Sequence, residues 1–140
     1  MDHPQPPARM IRVVLCTFPD EEAAAEAART LVSENLAACG TLLPGARSIY
    51  CWEGKIEDAR EVVVIFKISA ANEKAFAARL LELHPYDVPE IISLPPSHVH
   101  EAYAQWVLAK NAPIRDEHLR PHGRDGWFGK RGNHLWNNAL

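Results

Sequence analysis

Between Ser48 and Ser69, polar and apolar residues alternate with the period of two that marks half-buried strands. The stretch SIYCWEGKIEDAREVVVIFKIS predicts two long strands with their turn at Asp58-Ala59-Arg60. On the first strand Tyr50, Trp52 and Ile56 share a face with Gly54, while Ile49, Cys51, Glu53, Lys55 and Glu57 point the other way. On the second, Val62, Val64, Phe66 and Ile68 oppose Val63, Ile65 and Lys67. Apolar residues on both faces mark that strand as central. A glycine inside a strand marks a bulge or a close backbone approach, so Gly54 is expected to bend the first strand rather than to pack under an aromatic. A strand of this length outruns the core of one small domain. Its far end, carrying Trp52, is expected to be covered by another copy of the chain, because an exposed aromatic ribbon is an interaction surface.

The same reading places the other elements. Ile11 to Phe18, closed by Pro19, is a short apolar run and predicts a buried strand. Asp20 stands where an N-cap belongs, and Glu21 and Glu22 follow where the helix dipole favours acids. Ala24, Ala27, Ala28 and Leu31 form the buried stripe of that helix, which ends near Asn35. Leu36 to Leu43 predicts a strand closed by a turn at Pro44-Gly45. Asn72 is the expected cap of a second helix, with Phe76, Leu80 and Leu83 buried; it stops at His84 because the residue before Pro85 avoids the helical region. His84 to Glu90 (HPYDVPE) reads as a rigid turn and Ile91 to Leu94 as a short strand. Ser97 is the expected cap of a third helix carrying Tyr103, Trp106, Val107 and Lys110 along one side.

The order is β-α-β-β-α-β with one further helix. Right-handed crossovers then put the helices on one face of a mostly antiparallel sheet, so the fold class is α+β and the plan ferredoxin-like. Residues 1–10 are expected to be a disordered lead and 11–112 one domain. From Pro113 no apolar period appears, and four of the seven glycines fall there. The segment 113–140 is therefore expected to be a flexible tail.

Composition narrows the function. A formal net charge of −3 gives no basic footprint, so a nucleic-acid partner is not expected. No run approaches the roughly 18 apolar residues of a spanning helix, so a membrane protein is not expected either. The start, MDHPQPPARM, lacks the apolar region of a secretory signal. Cys16, Cys39 and Cys51 form an odd set without C-x-x-C spacing, which fits reduced thiols in a cytoplasm. No Gly-rich phosphate loop, Ser/His/Asp spacing or H-E-x-x-H occurs. The carboxylate pairs Glu21/Glu22 and Glu57/Asp58 suit capping and solvation, so the chain is not expected to be an enzyme.

Four motifs carry a family resemblance. Asn35-Leu36-Ala37-Ala38-Cys39, Trp52-Glu53-Gly54-Lys55-Ile56-Glu57, His84-Pro85-Tyr86-Asp87-Val88-Pro89-Glu90, and Tyr103 with Trp106 together resemble the CutA family of divalent-cation tolerance proteins. The resemblance runs from about Ile11 to Lys110. It implies a ferredoxin-like subunit in a tight homotrimer of PII-like architecture, and binding of copper or another divalent metal without established catalysis. Residue by residue, it assigns metal ligation to Cys16 and His84; Leu83 stands where the family's copper-associated members carry a further histidine. A thiol with an imidazole suits copper in either oxidation state, or zinc. Residue type alone leaves other roles open. Cys16 can be a buried core thiol, and His84 can sit at a helix end against the dipole. By analogy with PII relatives, Lys67, Tyr86, Glu90 and Trp106 line an inter-subunit cleft for a small anion or metabolite. The alternative for them is ordinary hydrogen bonding with a Glu90–Lys67 pair. The functional expectation is thus a cytoplasmic, homotrimeric copper-binding protein of divalent-cation tolerance. The alternative is a PII-like small-molecule sensor or a scaffold for a partner protein.

Overall fold

The computed structural model describes residues 6–111. The expected tail, 113–140, lies outside them. The elements are α1 (Pro6–Arg9), β1 (Ile11–Phe18), α2 (Glu21–Ser33), β2 (Cys39–Trp52), β3 (Lys55–Ser69), a 3-10 turn (Ala70–Asn72), α3 (Glu73–Leu83), β4 (Ile91–Leu94) and α4 (Glu101–Asn111). One helical turn, α1, stands where a disordered lead was expected, and it buries Ala8.

The strands form one sheet in the order β2-β3-β1-β4, with every neighbouring pair antiparallel. This is the ferredoxin-like plan, with β3 central as its two apolar faces require. On the first face Val14, Cys16 and Phe18 of β1 and Val62, Val64, Phe66 and Ile68 of β3 meet Ala24, Ala27, Ala28 and Leu31 of α2 and Phe76 and Leu80 of α3. On the second face a smaller cluster joins Ile11, Ala38 and Cys39 to Ala104, Trp106 and Val107 of α4. Among the described residues no helix covers the rest of that face. Leu43, Ile92 and Leu94 lie there with 46%, 47% and 43% of their surface exposed.

Helix α2 starts and stops as its sequence dictates. Asp20 accepts from the Ala23 N–H at 2.8 Å. At the other end Asn35 adopts φ 63°, and the Leu36 and Asn35 N–H groups bond back to the Leu31 and Val32 carbonyls. That is a Schellman closure with asparagine in the left-handed position.

Four expectations need correction. The hairpin turns at Glu53-Gly54, not at Asp58-Ala59-Arg60: β2 and β3 pair from Ala46↔Glu61 out to Trp52↔Lys55. Glu53 and Gly54 have φ values of 51° and 81°, the signature of a type I′ turn, whose twist matches that of the strands. Gly54 is therefore a turn residue rather than a mid-strand bend. The faces change accordingly: Trp52 and Tyr50 share theirs with Lys55 and Glu57, and Ile56 lies opposite Cys51. Next, Pro44-Gly45 does not end a strand. It forms a bulge within continuous β2, where the register shifts between Leu43 and Ala46 and Gly45 takes φ 87°. Third, Asn72 makes no cap bond to α3; its amide donates to the Asn35 and Asn111 carbonyls and ties the ends of α2 and α4 together. Finally, α4 begins at Glu101 and not after Ser97.

Candidate functional site

Ladder β1–β4 ends with the pair Cys16↔Ile91, one residue short of Thr17. The Thr17 carbonyl is taken up instead by His84, whose Nε2 lies 2.8 Å away. A carbonyl can only accept, so Nε2 carries the proton. The other ring nitrogen, Nδ1, accepts from the Tyr86 N–H at 3.1 Å. His84 arrives at this position because α3 ends at Leu83 and the residue before Pro85 turns extended, at φ −79° and ψ 137°. Its ring stacks on Phe18 with centroids 4.3 Å apart. Two residues on, the Tyr86 hydroxyl donates to Glu61 Oε2 at 2.7 Å. The turn from His84 is thereby fastened to β1 by one residue and to β3 by another.

Cys16 shares this corner. It is fully buried, and its Sγ makes a long contact, 3.9 Å, to the same Thr17 carbonyl. Burial, and then the negative charge of Glu90, push the thiol up to about 12. Burial also lowers the His84 imidazole below its ordinary range, against the opposing pull of the Thr17 carbonyl. The Tyr86 phenol is raised, first by burial and then by its bond to Glu61. At neutral pH these causes leave the corner with a neutral thiol, a neutral imidazole and a neutral phenol.

A metal needs a thiolate and an imidazole nitrogen with a free lone pair. In the metal-free chain burial favours the protonated Cys16 thiol, and both nitrogens of His84 are already engaged. Leu83 is partly buried and packs against the core. Among the described residues no group of three or more His, Cys, Asp or Glu side chains is placed to hold an ion. Cys16 and His84 thus meet at the Thr17 carbonyl, yet the arrangement does not fit a metal.

The four cleft residues separate within the subunit. Tyr86 lies at the corner with Glu61, and Glu90 is near enough for its charge to act on Cys16. Lys67 sits six residues along β3 from Glu61, about 20 Å at strand rise. Its Nζ donates to Thr41 Oγ1 at 3.1 Å and to the Ile65 carbonyl at 3.3 Å. Among the described residues no ion pair joins it to Glu90. Trp106 is buried under α4, with its ring 5.6 Å from that of Tyr103. Sequence reasoning missed Glu61 and the Thr17 carbonyl. A carboxylate directly before the apolar run VVVIF was a usable signal for the first. A backbone acceptor leaves none.

The sequence model described as "CutA1 divalent ion tolerance protein" matches residues 12–110. The "Divalent-cation tolerance protein CutA" of Citrobacter koseri is 46% identical over 103 residues, which cover 74% of this chain and 87% of that protein. The protein of the same name from Pectobacterium atrosepticum is 45% identical, over 74% of this chain and 91% of its own length. Among solved structures, CutA from Xylella fastidiosa superposes with a TM-score of 0.72 at 39% identity, covering 73% of this chain and 98% of that one. A point mutant of CutA1 from Pyrococcus horikoshii OT3 gives 0.70 at 41% identity, covering 73% and 99%. With the strand order, the four motifs and these likenesses in agreement, the chain belongs to the CutA1 family of divalent ion tolerance proteins.

Proposed function

We propose that this chain acts in divalent-cation tolerance as a cytoplasmic homotrimer that binds its cation and catalyses no reaction. Copper is the ion of this reading and zinc the second candidate. One observation carries it: among the described residues the sheet's second face is open beyond α4, and the hairpin beside it is apolar and uncovered. Leu43, Ile92 and Leu94 on the face, and Ile49, Tyr50, Trp52 and Ile56 on the hairpin, all stand exposed. Apolar surface of this kind marks an interaction site, and identical chains close it most simply by cyclic symmetry. Assembly also bears on the cation. Cys16 and His84 do not by themselves fit a metal, and a closed site takes about four ligands, so in this reading side chains from more than one subunit hold the cation. Free Cys16, Cys39 and Cys51 support a reducing compartment. The formal charge of −3 supports the absence of a nucleic-acid partner. Light scattering tests the trimer, and a mass of one chain in dilute solution sinks it. Calorimetric titration with Cu(II) tests the cation, and no heat above that of buffer sinks that part.

A second reading, a PII-like sensor of a small molecule or a scaffold for a partner protein, draws on the separation of Lys67 and Trp106 from Tyr86 and Glu90. A cleft uniting all four takes them from different subunits. Thermal shift against metals and metabolites discriminates the two: stabilisation by a metabolite and by no metal favours the sensor.

A further inference from the structure

A family of cation-tolerance proteins directs attention to any thiol–imidazole pair, but the bonds around His84 are those of a fastening. Nε2–H is spent on the Thr17 carbonyl at 2.8 Å and Nδ1 on the Tyr86 N–H at 3.1 Å. The two bonds select one tautomer, because reversing it would set a proton against the Tyr86 N–H and a lone pair against the carbonyl. The ring lies on Phe18 at an interplanar angle of 22°, so it cannot swing out without uncovering a core aromatic. The third point of attachment, the Tyr86 hydroxyl on Glu61, depends on the first two, since the bond to Nδ1 sets the Tyr86 backbone. Ligation through Nδ1 would displace the Tyr86 N–H. Ligation through Nε2 would free the Thr17 carbonyl, which β4 does not reach.

We infer that His84 is a positioning clamp of fixed Nε2–H tautomer, holding the turn of residues 84–90 on β1 and β3, and that divalent cations bind this protein without its imidazole. The second half rests on the reading that the chain binds a divalent cation; the first half does not. In the clamp, His84 sets the Tyr86 backbone, and Tyr86 carries the attachment on to Glu61. The residues flanking any inter-subunit cleft at this corner are thereby placed before a ligand arrives.

The test uses the full chain with 15N-labelled histidine. Long-range proton–nitrogen spectra of the metal-free protein are expected to show His84 with Nε2 protonated and Nδ1 bare. Saturation with Zn(II) is expected to leave both nitrogens unmoved. A protonated Nδ1, an averaging ring, or a His84 nitrogen that shifts as Zn(II) binds would overturn the inference. If calorimetry of the same sample detects no Zn(II) uptake, zinc is removed as a candidate cation, and the clamp stands or falls on the metal-free spectrum. Two variants add an independent readout. His84→Ala should raise amide exchange at Tyr86, and His84→Gln, which keeps a donor in the place of Nε2, should restore protection at least in part. Zn(II) affinity of His84→Gln should stay within about threefold of the wild type, well short of the tenfold or greater loss that follows disturbance of a metal ligand. Unchanged Tyr86 exchange in His84→Ala, or a tenfold loss of affinity in His84→Gln, counts against the clamp.

Discussion

Trp52 and Lys55 are the last pair of the β2–β3 ladder, with only Glu53 and Gly54 between them. Both turn residues take positive φ, and at Gly54 an added Cβ would meet nothing within 4 Å. Replacing Gly54 by valine therefore tests backbone strain without a clash. A left-handed conformation costs an L-residue roughly 1–2 kcal/mol, and β-branching adds to it. Gly54→Val is expected to lower the unfolding free energy by that amount, read as a lower urea midpoint with an unchanged slope at fixed protein concentration. An unchanged midpoint would mean that the hairpin reverses elsewhere.

Gly40 is needed for the opposite reason. Its φ is unexceptional, but a Cβ there would lie 3.0 Å from Phe66 Cε1 and 3.4 Å from Ala28 Cβ. Phe66 cannot retreat easily, since its ring meets Phe76 edge-on at 5.0 Å. Gly40→Ala is expected to destabilise by about 1–3 kcal/mol, the usual cost of overpacking. Adding Phe66→Leu should recover part of the loss. Simple addition of the two effects in a double-mutant cycle would place Gly40 out of contact with the ring.

These glycines show what was legible in the chain and what was not. The extents of β1 and β4, the Asp20 cap and the end of α3 at His84 follow from short-range rules, and the structure reproduces them. The long ribbon escapes such rules because its signals are not local. Asp58 resembles a turn residue, but its carboxylate is bound by Arg47 from the facing strand, at 2.8 Å to each oxygen. Pro44-Gly45 has the composition of a turn, yet a bulge uses the same two properties: a missing donor and a positive φ. At the candidate site, the family resemblance pointed to a thiol and an imidazole, and the fold puts both by Thr17. The engagement of both ring nitrogens depends on a backbone carbonyl and a backbone N–H, which no residue pattern encodes.

Cys16 supplies a pH prediction. Its folded-state value lies above the ordinary thiol value of 9.0, at about 12, chiefly through burial. The unfolded chain thus releases this proton first. The contribution to stability is complete below pH 9 and is lost as pH rises towards 12. Cys16→Ala removes the titration, whatever constant penalty its cavity adds. Tyr86 and Tyr103 are also raised, but they are common to both proteins and cancel in the difference. Urea midpoints measured with chelator present should fall more steeply with pH in the wild type than in Cys16→Ala across this range. Parallel curves would show a thiol that ionises as freely in the folded state as in the unfolded one.

The same ribbon provides the sharpest test of assembly. Trp52 and Ile56 expose 54% and 74% of their surface, and they lie on opposite faces of the hairpin. Among the described residues no packing within one subunit covers them, so in the proposed trimer they meet other chains. Trp52→Glu puts a carboxylate into that contact, and desolvating an unpaired charge costs several kcal/mol. Exposure alone is not the criterion. Leu81 of α3 is equally uncovered, at 53%, but lies away from the open face and the hairpin. Light scattering is therefore expected to show a reduced mass for Trp52→Glu and an unaltered trimer for Leu81→Glu, with the helical signal retained in both. Equal masses for the two variants, whether both whole or both broken, would disconnect the hairpin from assembly. The open second face would then have to hold the subunits together without it.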